Sequence, residues 1–129
     1  MSLRFWRKSA FPTPHRQPIP AFVKGNPEVE LPIAGARGWL LQGQRQQAVF
    51  IEFGQTVQVP EHNHAEQWEF ALAGRVDLHR LGGTETFTAG DNFFVPAGQP
   101  HGATVYAGYQ ALILFNAPDR YRARGTATG

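Results

Sequence analysis

From Trp39 onward the apolar residues come in short or alternating runs, each soon stopped by glycine, proline or asparagine. That punctuation admits strands and leaves no room for long helices. The runs are Trp39–Leu41, Ala48–Phe53, Thr56–Val59, Trp68–Ala73, Val76–His79, Glu85–Thr88, Asn92–Val95, Thr104–Ala107 and Tyr109–Phe115. Leu81-Gly82-Gly83-Thr84 reads as a hairpin turn, because glycine reaches positive φ without a steric penalty. No stretch of about ten residues keeps a helical period, and no internal repeat is visible. The pattern predicts an all-β barrel or sandwich.

The flanks differ. Residues 1–32 carry Pro12, Pro14, Pro18, Pro20, Pro27 and Pro32, and proline has no amide to give a central strand. This segment is expected to be an extended arm. Its Phe5, Trp6, Phe11, Phe22 and Val23 want burial, so it should lie on the barrel or on a partner subunit. The barrel is expected over 33–121. Residues 122–129 are small and polar, and predict a loose tail.

The 129 residues suit one domain with a core of its own. The chain has no cysteine, which excludes disulfides and any thiolate metal site. Net charge is only +2, and the two basic clusters (Arg4, Arg7, Lys8 and Arg120, Arg122, Arg124) sit near the ends, where solvated termini are the expectation. No basic stripe points to nucleic acid. No apolar run approaches the roughly 18 residues of a membrane span, and Met1 to Phe11 lacks the apolar stretch of a secretory signal. A cytoplasmic protein is expected.

Three of the five histidines fall in pattern. His62-Asn63-His64 follows Thr56–Val59 directly, and in an extended segment residues two apart share a face, so both imidazoles would aim at one point. Gln67 and Glu69 open the next run on one shared face, with Trp68, Phe70 and Leu72 on the other. His101 comes later, after a strand held between turns at Gly90-Asp91 and Pro96-Ala97-Gly98. Together these residues make a plausible divalent-metal site in an apolar barrel. His79 reads as an outer-face residue of an alternating strand and His15 as part of the arm. Tyr106 and Tyr109 suit either the pocket rim or ordinary packing. Glu66 should point away from Gln67.

These two segments resemble the two motifs of the cupins. The first runs from Gly54 through His62, His64 and Gln67 to Gly74. The second is Gly90, Pro96, Gly98 and His101, at the family's spacing, with Val105 in place of its terminal asparagine. The gap from Gly54 to His62 is two residues longer than usual. His62-Asn63-His64-Ala65-Glu66-Gln67-Trp68 is similar to a subgroup of small, RmlC-like cupins with an HxHxxQW pattern. The resemblance implies an antiparallel double-stranded β-helix, or jelly roll, holding one divalent transition-metal ion (Zn, Fe, Ni or Mn). His62, His64 and His101 would be ligands, joined by Gln67 or Glu69. Motif counting favours Gln67, which leaves Glu69 as the catalytic candidate, a proton acceptor.

Two functions are compatible with that site. One is a metal-dependent enzyme of isomerase or dioxygenase type, acting on a small oxygenated organic acid or carbonyl compound. The other is a non-catalytic module in which the metal anchors a small ligand. Three imidazoles and an amide leave the ion's charge uncompensated, so an anionic small molecule is expected in either case. Trp68, Phe70 and Leu72 need a cover, which the arm or a second subunit would give, and a homodimer is predicted.

Overall fold

Nine strands, one for each apolar run, occupy residues 36–115 of the structure, a computed structural model that describes residues 18–125. They are β1 (Ala36–Gln42), β2 (Gln47–Phe53), β3 (Val57–His62), β4 (Gln67–Ala73), β5 (Arg75–Arg80), β6 (Gly83–Thr88), β7 (Asn92–Val95), β8 (His101–Val105) and β9 (Gln110–Phe115). All pair antiparallel, in a five-stranded sheet of order β1-β2-β9-β4-β7 and a four-stranded sheet of order β3-β8-β5-β6. From β2 to β9 every connection crosses between sheets except the β5–β6 hairpin, which is the jelly-roll path. That hairpin turns through Leu81 and Gly82, with Gly82 at φ 106°.

The alternation in the sequence sets which side chains fill the space between the sheets. Val49, Ile51 and Phe53 of β2, Ala111, Ile113 and Phe115 of β9, and Val76 and Leu78 of β5 point inward and are buried. Each buried side chain of this size contributes about 1.5–3 kcal/mol, and a one-residue slip would turn the whole set outward. A single residue, Gly74, carries the chain from β4 in one sheet to β5 in the other. It sits at φ +78°, and a Cβ there would stand 2.7 Å from the Cα of Tyr109. Only glycine meets both conditions.

Phe5, Trp6, Phe11 and His15 lie outside the described residues. The described part of the arm is not wholly extended: one helical turn, α1 (Ala21–Lys24), follows Pro20. The turn points Val23 inward, and Val23 with Ile19 packs on Trp39 and Phe50. The arm therefore covers the β1–β2 end of the five-stranded sheet. At the other end the chain is held beyond Tyr121. The Glu30 amide donates to the Arg122 carbonyl (2.9 Å) and the Arg124 amide to the Glu28 carbonyl (2.6 Å). These two bonds flank an antiparallel bridge between Val29 and Ala123, and just before it the buried Gln47 takes both backbone groups of Tyr121. Its Nε2 donates to the Tyr121 carbonyl (2.8 Å), and its Oε1 accepts from the Tyr121 amide (2.9 Å). Arg120 and Tyr121, which line the space between the sheets, are thereby held in place.

Candidate metal centre

His62 and His101 are direct partners across the β3–β8 ladder. The ladder shifts register just before them, between Val59 and His62, and such an irregularity bends a strand and re-aims its side chains. Gly102 permits the approach, since a Cβ there would lie 2.8 Å from the Val59 carbonyl oxygen. His64 arrives differently from the sequence expectation. β3 ends at His62, so the two imidazoles do not share a regular strand face. His64 sits in the β3–β4 connection, and hydrogen bonds from two other segments fix that connection. The Gly98 amide donates to the His64 carbonyl, and the Asn116 amide to the Glu66 carbonyl, both at 2.9 Å. The first bond ties the turn before His101 directly to the first histidine pair. Glu66 turns outward to accept from the Asn116 side chain.

The three rings converge. Their centroids are 4.4 Å apart for His62–His101, 4.8 Å for His64–His101 and 5.1 Å for His62–His64. One ring nitrogen from each lies within 4.8 Å of the others. The hydrogen bonds decide which nitrogen is free. Nδ1 of His62 faces the Pro60 carbonyl (2.8 Å), Nδ1 of His64 the Ala65 carbonyl (2.7 Å) and Nδ1 of His101 the Gln99 carbonyl (2.9 Å). A carbonyl only accepts, so each Nδ1 carries the proton and donates. Each Nε2 keeps a bare lone pair. Burial disfavours the imidazolium form, lowering His64 to about 4 and His101 below its ordinary value. Three imidazoles held through Nδ1, with Nε2 left to bind, are the donor set a divalent ion takes.

Gln67 and Glu69 both face inward on β4 and are buried, as the alternation predicted. They bond to each other. Gln67 Nε2 donates to one oxygen of Glu69 (2.6 Å), and the Tyr109 hydroxyl donates to the other (2.5 Å). When Glu69 is ionised it only accepts, and the Gln67 amide then turns its nitrogen to Glu69 and its oxygen elsewhere. Burial raises Glu69 to about 7, against the lowering by these two donors. Burial also raises the Tyr109 phenol, which stays protonated and donating. Tyr109 is thus a core residue bonded to the site and not a rim residue. Tyr106 instead donates to Asp77, outside the cavity (2.8 Å). His79 is hydrogen-bonded on the four-stranded sheet by Thr84 and Thr104.

All of these inward groups open onto one cavity of about 100 Å³, walled by apolar side chains such as Ile51, Val76, Phe93 and Ile113. Arg120 and Tyr121 also line it. Sequence reasoning missed Arg120, which it placed on a solvated terminus. Its guanidinium carbon stands 4.7 Å from the Tyr121 ring centre and 5.6 Å from that of Phe115. The charge is felt inside, where it helps lower both His64 and His101. The only signal in the sequence was a cation placed beside an aromatic residue just after the last strand.

The sequence model of one family, described as a cupin domain, matches residues 49–115. No curated protein matches the chain. Among solved structures the chain is similar to an RmlC-like cupin from Shewanella frigidimarina, with 28% identity and a TM-score of 0.64 over 74% of this chain and 87% of that one. It is similar in fold to KdgF from Halomonas sp., with 21% identity and a TM-score of 0.62 over 71% and 88% of the two chains. It also resembles in fold a single-substitution variant of oxalate decarboxylase from Bacillus subtilis, at 16% identity and a TM-score of 0.62, covering 73% of this chain and 28% of that one.

Proposed function

Since this chain belongs to the cupin domain family, we propose that it binds one divalent transition-metal ion through His62, His64 and His101, with Gln67 as fourth ligand. On this reading it is a metal-dependent enzyme, of isomerase or dioxygenase type, acting on a small oxygenated organic acid or carbonyl compound. The observation that carries the reading is the common state of the three rings. Each donates a hydrogen bond from Nδ1 to a main-chain carbonyl, which leaves its Nε2 free, and one ring nitrogen of each lies within 4.8 Å of the others. Zn, Fe, Ni and Mn all suit such a set. When bound, the ion supplies Lewis acidity toward a carbonyl or carboxylate oxygen, or, as Fe(II), redox chemistry with dioxygen.

The remaining work falls to the chain itself. Glu69 aims the Gln67 oxygen by holding the amide nitrogen. With its acidity moved by burial to about 7, Glu69 can take and return a proton at neutral pH. The apolar walls exclude water and admit only a small molecule. Because no carboxylate completes the histidine cluster among the described residues, an anionic ligand is favoured.

A second reading, a binding module without turnover, is supported by one observation: both oxygens of Glu69 are already taken, by Gln67 and Tyr109. The outer face also supports the expected homodimer. Among the described residues Trp68, Leu72, Phe94 and Leu114 are exposed, outside the end of the sheet that Ile19 and Val23 cover, and apolar patches of this kind mark interaction sites.

Metal analysis of the purified protein, followed by oxygen-uptake and isomerase screens with small keto acids and diketones, tests the function. Oxygen uptake with Fe(II) selects dioxygenase, and isomerisation with any bound ion selects isomerase. Ligand retention without turnover selects the binding module. A protein that takes up no metal ends the reading.

A further inference from the structure

Arg120 carries a feature that the metal site does not use. Its Nε is buried and has no hydrogen-bond partner among the described residues. Four other arginines pair with carboxylates: Arg37 and Arg124 with Glu28, Arg75 with Asp77, and Arg80 with Glu85. Among the described residues Arg120 pairs with none. Leaving a buried donor of a charged group unpaired is costly, so its persistence beside a cavity points to a partner that arrives from outside.

The group is also held ready. The Phe115 and Tyr121 rings flank the guanidinium, and the Gln47 side chain grips the Tyr121 backbone at both its amide and its carbonyl. An arginine fixed in this way loses little freedom on binding. It shares the cavity with His62, His64, Gln67 and His101.

We propose that Arg120 is the carboxylate-binding residue of this cavity, so that the molecule taken is a small carboxylic acid anchored by its carboxylate on the guanidinium. The proposal rests on the metal reading for where the rest of the ligand goes. The planar fork of guanidinium donors matches a carboxylate in two parallel bonds. A phosphate fits less well. It is usually gathered by several donors, often at a helix N-terminus or a nest of amides, and here one guanidinium stands in a cavity of about 100 Å³ with apolar walls.

The test compares malonate with malonamide, its neutral analogue of like shape, by calorimetry on wild type, Arg120→Gln and Arg120→Lys. Inorganic phosphate is a third titrant, and Ni(II) content and thermal melting are read for each protein. The expected result is a wild-type preference for malonate that falls at least about tenfold in Arg120→Gln. Arg120→Lys, which keeps the charge without the fork, should fall in between. Ni(II) content should be unchanged in both variants. A preference equal in all three proteins overturns the proposal, as does phosphate binding more tightly than malonate. Failure of the metal reading is separately visible, as wild type that takes no Ni(II). The same titrations on metal-free protein then decide: malonate binding abolished by Arg120→Gln sustains the role of Arg120, and no binding, or binding indifferent to the substitution, overturns it. If Arg120→Gln melts before the titration temperature, the Arg120→Lys comparison decides alone.

Discussion

Replacing Gln47 by methionine isolates the clamp that holds the Tyr121 backbone beside the cavity. The two side chains are close in volume, so the substitution opens no large void at a position only 1% exposed. It removes three hydrogen bonds: the two to the Tyr121 backbone and one from Gln47 Nε2 to Gln42 Oε1 (2.8 Å). Gln42 sits at the surface and regains water, so its share is small. The two Tyr121 groups have two options. They stay in place unpaired, or the segment lifts and they are hydrated at the expense of the Phe115–Tyr121 contact, whose ring centres are 5.4 Å apart. At about 1 kcal/mol for each bond, the cost is about 2 kcal/mol. With a urea m-value of about 1.5 kcal/mol/M, the unfolding midpoint should fall by about 1.3 M. Native-state hydrogen exchange should show where the loss is felt. The amides of Glu30 and Arg124, which bond between the tail and the arm, should lose protection, and those of β4 and β9 should keep it. A midpoint shift under about 0.3 M with tail protection intact would refute the clamp.

Two further outcomes follow from other parts of the molecule. The Arg75 guanidinium, with Thr86 and Tyr106, lowers Asp77 to about 2 from an ordinary 3.8. A lowered folded value stabilises the protein above the unfolded value, and the gain is lost as pH falls from 3.8 to about 2. Acid titration of stability should therefore be flatter in Asp77→Asn over that window, and identical profiles would count against the pairing. On the outer sheet face, Trp68→Glu puts a charge in the exposed apolar patch. Light scattering after size exclusion should show a dimer for wild type and a monomer for the variant, and a monomeric wild type would remove the proposed interface.

Much of the architecture was legible because strand period and turn residues are local. The alternation at Gln67-Trp68-Glu69 marked inward and outward faces correctly, and the glycines marked the turns. The convergence of the histidines was legible in its outcome but not in its cause. His62 and His64 meet through a register shift at Val59 and a loop pinned by Gly98 and Asn116, and contacts between distant segments leave no periodic trace. The same holds for the tail. Nothing around Tyr121 announces that Gln47, 74 positions earlier, will hold its backbone. Arg120 consequently looked like one more basic residue near an end, although its place in the cavity depends on that hold. The pairing of Gln67 with Glu69 was half visible. Their shared face follows from spacing, whereas Tyr109 as the second donor to Glu69 follows only from the fold.

Everything about function depends on the three imidazoles offering their Nε2 atoms to one ion. The most direct measurement is the Ni(II) content of wild type and of the single alanine variants at His62, His64 and His101, after loading and exhaustive dialysis. About one ion per chain in wild type, with retention lost on removing any one of the three imidazoles, is the expected result. Negligible metal in wild type, or equal metal in all four proteins, would contradict it.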